Sequence, residues 1–433
     1  MDKNNLLILF FNQFYIIFII LFLYIFEYIS LIQIIIGYLI LCIYYRLTSE
    51  TEIYFSKKNQ LIVSSLEKCP SIISKNYKPP FFFPINPLQL INLSRSIIKS
   101  KEKIKINREY IGNEGIVLDW IEYEGIETKN KPIFIIFPGL TGGVNDAYVM
   151  NITDSAIKNG FNVVIYQMRL LTNKFSLPNN KPQFFLIEDI DFAIDSIRNK
   201  YGNNIKIYAI GYSYGSNQLV KYLGEKNYIN KKISAAISIS NPFDFIICTR
   251  YSLNKFYDRI LLSFLQKVYK ETKNNLLKYD FIKEKSDLIE NTLSLNEFDR
   301  YYTAKIFGFK TPSEYYRNVS CFNSIKNINI PLLCINALDD QITCKYGIPY
   351  DDILLNDFIV LVTTKLGSHI CFLENNGFFG VKQWIVKPCI EFVNAFKNLD
   401  WCDNWFLLLN VFYLIYYAIL VYLFEFLIFF LII

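Results

Sequence analysis

Ser213 lies in Gly211-Tyr212-Ser213-Tyr214-Gly215, a spacing suited to mounting a nucleophilic hydroxyl. In such an elbow a strand ends in a sharp turn and a helix begins at once. The positions two before and two after the serine must therefore be small, so that strand and helix can pass closely. A serine hydroxyl attacks a carbonyl well only when a base takes its proton. The 433-residue chain has a single histidine, His369, in Gly367-Ser368-His369 and far beyond the serine. The remaining requirement is an acid that orients the imidazole and stabilises its cation. Asp339-Asp340 stands between the two, and serine, acid, histidine is one of the chain orders in which this constellation occurs. Asp340 is the preferred acid, because Ala337 occupies the small position three residues before it; Asp339 is the alternative. An oxyanion formed at the attacked carbonyl needs two backbone donors. Tyr214, directly after the nucleophile, supplies one. Leu140, in the loop Phe137-Pro138-Gly139-Leu140-Thr141-Gly142-Gly143, supplies the other, with Thr141 as fallback.

These residues need elements to hold them. Apolar alternation and short apolar runs predict strands over 104–111, 116–123, 132–137, 161–166, 205–212, 233–240, 330–337 and 358–363. The first two form a hairpin around Gly112 and Gly115. Helical spacing runs over 146–158, 184–200 and 216–223; in the second of these, Ile187, Ile190, Ile194 and Ile197 share one face. Strands alternating with helices imply a mostly parallel sheet covered on both faces. Residues 245–320 interrupt the alternation with Tyr- and Lys-rich helical sequence, which implies an inserted cap. Residues 49–100 read as an irregular extension, where Pro79, Pro80, Pro84 and Pro87 bracket three consecutive phenylalanines. This extension is expected to drape over a catalytic domain at 101–400 or to dip into a membrane surface.

Both ends are strongly apolar. Residues 6–45 are almost wholly apolar, interrupted by Asn12, Gln13, Glu27 and Gln33, and residues 405–433 are apolar apart from Asn410 and Glu425. A bilayer span takes about 20 apolar residues. The expectation is an N-terminal anchor within 1–48, of one or two spans, and one further span within 401–433. Arg46, Lys57 and Lys58 follow the first block, and Lys387 and Lys397 precede the last. Basic flanks prefer the cytoplasmic side, which places the catalytic domain in the cytosol on an endomembrane such as the endoplasmic reticulum.

The remaining composition excludes several classes. A net charge of +6 without a basic tract argues against nucleic acid as a partner. Nine cysteines, an odd number with no C-x-x-C pair, argue for reduced thiols rather than a disulfide framework or a zinc knuckle. One histidine, already committed, and scattered acids leave no metal-ligand set. No phosphate-cradling glycine loop is present either, so no cofactor is expected. Acceptor-type triplets at Asn92, Asn151 and Asn318 are what chance supplies in an Asn-rich chain.

Taken in order, several segments resemble the membrane-anchored α/β-hydrolase-domain lipid esterases, a family that includes medium-chain phospholipases, monoacylglycerol lipases and fatty-acid ethyl ester synthase/hydrolases. The segments are Pro138-Gly-Leu-Thr-Gly-Gly143, the serine elbow with Lys221-Tyr-Leu-Gly-Glu225, Ser240-Asn-Pro-Phe-Asp244, Glu297-Phe-Asp299 with Phe307-Gly-Phe-Lys310, Tyr315-Tyr-Arg317, Asn336-Ala-Leu-Asp-Asp340 and Gly367-Ser-His-Ile-Cys-Phe-Leu-Glu374. They span roughly residues 75–395. The resemblance implies an α/β-hydrolase fold and hydrolysis of lipid acyl esters, or acyl transfer from them, through Ser213, Asp340 and His369. A non-catalytic membrane-bound binding platform is the rival from another class. Departures are Ser216 and Ser368, where the family often has Gly, and Gln341, where Pro commonly follows the acid. The long N-terminal block and the C-terminal apolar run are also extra.

Overall fold

The computed structural model describes residues 31–96, 104–111, 116–125, 131–169, 187–225, 232–251, 255–377 and 380–397. Nine strands form one sheet: β1 (Thr51–Phe55), β2 (Ile104–Ile111), β3 (Ile116–Tyr123), β4 (Ile133–Phe137), β5 (Asn162–Gln167), β6 (Ile207–Tyr212), β7 (Ala235–Ile239), β8 (Leu332–Ala337) and β9 (Ile359–Thr364). Their spatial order is β1-β9-β8-β7-β6-β4-β5-β3-β2. The six strands from β5 to β9 through β4 pair in parallel, while β1, β2 and β3 add antiparallel margins.

Why the central strands form is plain from their composition. β4 is Ile-Phe-Ile-Ile-Phe and is buried throughout, the signature of a strand covered on both faces. Its side chains alternate between two cores. Ile133, Ile135 and Phe137 join the core that also holds Ile190, Ile194, Leu219 and the cap residues Tyr269 and Phe298. Phe134 and Ile136 join the core that holds Ile152, Phe392 and Phe396. Helix Ile187–Tyr201 and helix Tyr214–Gly224 therefore cover one face, and helix Ala147–Lys158 and helix Val386–Lys397 the other.

Chain order reverses at β4: β5 lies on one side of it and β6 on the other. The loops leaving β4 and β6 diverge there and open a crevice beyond the carboxyl ends of the strands, where ligands bind in open α/β sheets. Helices Phe245–Tyr251, Lys255–Leu276, Asp280–Glu290, Leu295–Phe298 and Pro312–Val319 lie between β7 and β8, with a π-helical turn at Asp299–Thr303.

Residues 49–100 depart from the irregular extension read from sequence. Thr51–Phe55 pairs antiparallel with β9 and closes the sheet margin. Helix Gln60–Glu67 is capped by the Asn59 side chain, and Pro87 stands in the first turn of helix Asn86–Asn92. Proline at the first turn starts a helix as readily as it breaks one, since its missing N–H has no intrahelical acceptor there. The Ser71 amide and hydroxyl both donate to Glu391, at 2.9 Å each, tying this extension to the last helix. Residues 51–55 thus belong to the same sheet as the strands that follow.

Of the N-terminal apolar block, Leu31–Leu47 is helical. Among the described residues no helix is long and apolar enough to cross a membrane. Residues 6–30, the C-terminal run 405–433, Cys402 and the turn around Gly112 and Gly115 lie outside the described residues. Asn151 is fully buried and its amide donates to Ser96 and Gln383, so it is a structural residue rather than a glycan acceptor.

Candidate active site

Ser213 caps the helix Tyr214–Gly224 with φ 51° and ψ −118°, an uncommon conformation for a residue with a side chain. Its amide donates to Ile239 O at 2.8 Å, which ties the turn to β7. Both flanking glycines are sterically required. A Cβ on Gly211 would stand 2.5 Å from Ser216 Cα, and one on Gly215 would strike the carbonyls of Phe137 and Pro138. Ser216, where the resemblance allows Gly, fits because its hydroxyl turns back to donate to Ser213 O at 2.7 Å.

His369 arrives from the loop after β9. Its Nε2 lies 2.9 Å from Ser213 Oγ and its Nδ1 lies 2.8 Å from Asp340 Oδ2. The consistent assignment is a neutral ring with its proton on Nδ1, donated to Asp340, and Nε2 accepting from the serine hydroxyl. Asp340 leaves β8 and is buried. Its Oδ1 accepts from the Ile342 and Thr343 amides at 2.8 and 3.0 Å, and its Oδ2 from the Thr343 hydroxyl at 2.5 Å. These donors hold the carboxylate where the imidazole can use it. Asp339 turns elsewhere. Its Oδ1 accepts from the Ser368 amide at 2.9 Å and so fastens the histidine loop. Burial pushes the Asp339 carboxyl up to about 7, with the Ser368 amide opposing the shift.

That loop is held under strain. Ser368, Ile370 and Phe372 all have positive φ, at 57°, 67° and 41°. Positive φ at 368 is a conformation glycine adopts freely. Such strain persists only where surrounding contacts over-determine it, and they do here. The Ile370 amide donates to Ser240 Oγ at 3.0 Å. Gln383 Nε2 donates to the carbonyls of Ile370 and Cys371 at 3.0 and 3.2 Å. The Leu373 amide donates to Gln89 Oε1 at 3.1 Å. Ser240 was visible in sequence only as part of the Ser-Asn-Pro-Phe-Asp segment. Gln89 and Gln383 carried no sequence signal, because a buried glutamine looks like any other until its partners are known.

The glycine-rich loop after β4 lies directly beside the serine. A Cβ on Gly139 would sit 3.4 Å from Ser213 Cβ. The Gly139 amide donates to Tyr148 Oη at 3.1 Å, the Gly142 amide to Gly139 O at 2.9 Å, and the Gly143 amide to Asp146 Oδ2 at 2.8 Å. Thr141 completes the turn at φ 62°. Among the described residues neither the Leu140 nor the Thr141 amide has an acceptor.

The cap contributes aromatic side chains on the helix side. The Tyr214 and Tyr315 hydroxyls lie 3.4 Å apart, and the Tyr214 ring meets Phe245 edge-on at 6.1 Å. Behind them the Tyr316 hydroxyl donates to Asp299 Oδ2 at 2.5 Å, and burial pushes the Asp299 carboxyl up to about 6. Asp299 and Tyr316 sit in two of the segments singled out in the sequence. Four residues past Asp340, a hydrogen bond with the Cys248 thiol pulls the Cys344 thiol down to about 7, against opposing burial.

With this geometry in place, comparison with known proteins gives a consistent answer. The family model described as the alpha/beta hydrolase fold matches residues 132–370, more than half of the chain. The "Embryogenesis-associated protein EMB8" of Picea glauca is 32% identical over 323 residues, covering 70% of this chain and 69% of that protein. "Phospholipase ABHD3" of Homo sapiens is 26% identical over 360 residues, covering 79% and 85%. A "Monoacylglycerol lipase" of Saccharomyces cerevisiae is 30% identical over 280 residues, covering 62% and 60%. The chain belongs to the α/β-hydrolase fold family, among relatives that bear lipase and phospholipase names.

Proposed function

We propose that this protein is a membrane-bound serine hydrolase that cleaves acyl esters of lipids, or transfers their acyl groups, through an acyl-enzyme on Ser213. The observation that carries this reading is the pair of contacts on His369, 2.9 Å to Ser213 Oγ and 2.8 Å to Asp340 Oδ2. His369 takes the serine proton as Oγ attacks the acyl carbonyl, and Asp340 stabilises the imidazolium that forms. The oxyanion is held by the amides of Leu140 and Tyr214. Leu140 follows Gly139, the residue packed against Ser213, and Tyr214 opens the helix beyond it. The protonated histidine then gives its proton to the departing alcohol. A water, or a second alcohol, attacks the acyl-enzyme by the same route in reverse. Proton transfer stays within the protein's own groups, so the reaction calls for no cofactor.

Lipid esters are the favoured substrates because relatives bear phospholipase and monoacylglycerol lipase names, and because the apolar blocks at 6–45 and 405–433 suit anchoring beside a water-insoluble substrate. The anchored domain faces the cytosol from an endomembrane, in keeping with the basic residues flanking both blocks.

The test is labelling of the full chain with a fluorophosphonate, together with turnover of a panel of phospholipids, glycerides and short esters, with and without an alcohol acceptor. Wild type should label and turn over esters. Ser213→Ala should do neither, with turnover down at least ~10³-fold. Ser213-independent labelling, or folded wild type that never labels, would favour a non-catalytic binding platform.

A further inference from the structure

The first cap helix, Phe245–Tyr251, packs against the turn that follows the triad acid. That turn is Lys345–Gly347, flanked by Cys344. Gly347 faces the helix: a Cβ there would lie 3.6 Å from Cys248 Sγ and 3.6 Å from Asp244 O. The Tyr251 and Tyr346 rings meet at 5.1 Å and join the same two segments. Across this contact the Cys248 and Cys344 thiols are hydrogen-bonded to each other. Cys248 is 5% exposed and keeps its proton, held by the bond to Cys344 and by burial. The Cys344 sulfur accepts from Cys248 and from the Tyr346 and Gly347 amides, so three donors favour its thiolate.

The other described cysteines are of a different kind. Cys69, Cys321, Cys334, Cys371 and Cys389 are at most 1% exposed, and burial pushes each thiol up. Among the described cysteines Cys344 alone is not buried. Oxidant-sensing thiols are accessible thiolates with a second cysteine beside them to resolve the oxidised form. Ester hydrolysis uses neither Cys344 nor Cys248.

We propose that Cys344 and Cys248 are a hydroperoxide-responsive pair, whose disulfide clamps the cap helix to the acid turn and shuts down the triad. The Cys344 thiolate attacks the peroxide O–O bond. One oxygen stays on sulfur as a sulfenic acid, and the other leaves as hydroxide and takes up a proton. The Cys248 sulfur, losing its proton, then attacks the sulfenic sulfur. The S–O bond breaks, and the leaving hydroxide takes that proton. The two sulfurs lose two electrons between them, and one hydrogen peroxide becomes two waters. A dithiol returns the two electrons and restores both thiols. The link to the triad runs through the residues just before Cys344. The Ile342 and Thr343 amides and the Thr343 hydroxyl hold Asp340, which meets His369 at 2.8 Å. A disulfide draws the sulfurs from hydrogen-bond contact to about 2.05 Å, and Thr343 must move with its neighbour. A misplacement of ~1 Å costs a catalytic group about 10²-fold.

Hydrogen peroxide treatment of the full chain in detergent tests this, with remaining thiols capped by iodoacetamide, peptides mapped by mass and turnover followed on a water-soluble ester. Wild type should give a peptide pair joined at Cys248 and Cys344 and lose about 10²-fold in turnover; dithiothreitol should reverse both. Cys344→Ser should keep its basal turnover and resist the same treatment. Cys248→Ser should stop at a Cys344 sulfenic acid, trapped by dimedone. No joined pair, a joined pair without loss of turnover, or equal loss in Cys344→Ser overturns the proposal. Should a serine variant misfold, alkylation of reduced wild type decides: iodoacetamide should take Cys344 ahead of Cys69 and Cys389, and equal uptake overturns the assignment. The effect on turnover rests on the hydrolase reading, whereas the joined peptide does not. A wild type that never labels at Ser213 removes that reading and leaves the thiol pair to the mass map.

Discussion

Asp339 and Asp340 are neighbours in sequence, yet their substitution should have different consequences. Asp340→Asn keeps the shape of the site but turns the side chain's hydrogen bonding against the required His369 tautomer. Turnover should fall ~10⁴-fold, read as kcat on any ester the wild type accepts. Asp339→Asn retains an oxygen for the Ser368 amide and should lose less than about tenfold, because that carboxyl positions a backbone and does not touch His369. Its effect belongs to stability. Burial raises the Asp339 carboxyl from 3.8 to about 7 in the folded protein. Between those values the native state holds a proton that the unfolded chain has released. Protonation of this group therefore favours the fold at low pH, and that contribution is lost as pH rises through about 7. The melting temperature of Asp339→Asn relative to wild type should climb between about pH 5.5 and pH 8; a constant gap would show that Asp339 is ionised throughout.

At the scale of elements, the serine elbow is a tightly constrained junction. The Cβ of Gly211→Ala meets backbone of the helix it must pass, 2.5 Å from Ser216 Cα. Backbone on both sides cannot give way cheaply, so destabilisation of about 1–3 kcal/mol or more is expected. A lower melting temperature and weaker fluorophosphonate labelling should appear together. The same element was legible in sequence, as were the eight main strands, because a buried apolar strand and the glycine spacing are local signals. The extension at 49–100 was not legible. β1 is only five residues long and takes its identity from β9, which lies some 300 residues away. The hairpin of β10 (Leu373–Asn376) and β11 (Gly380–Gln383) was equally silent, since Leu-Glu-Asn-Asn carries no strand pattern.

At the scale of the whole molecule, the proposed membrane attachment rests on the two apolar ends. A net charge of +6 spread over 433 residues is too weak to hold the protein on a membrane by itself. Membranes washed in alkaline carbonate, or in high salt, should therefore retain the full chain in the pellet. Release into the supernatant would mean surface attachment only, and would remove the anchoring from the proposed function.

Taken alone, the sequence supplied the candidate groups and their order along the chain. One histidine, one serine elbow and an intervening pair of aspartates leave few ways to build a nucleophile, and apolar periodicity sets out the parallel sheet that must carry them. Tertiary structure decided what depends on direction and distance. It set Asp340 rather than Asp339 beside His369, because the turn after β8 sends Asp340 to the imidazole and Asp339 to the Ser368 amide. It also revealed the glutamines that hold the strained histidine loop. The Leu373 amide and the Gln89 side chain stand 284 positions apart, and a hydrogen bond across such a separation leaves no trace in local spacing.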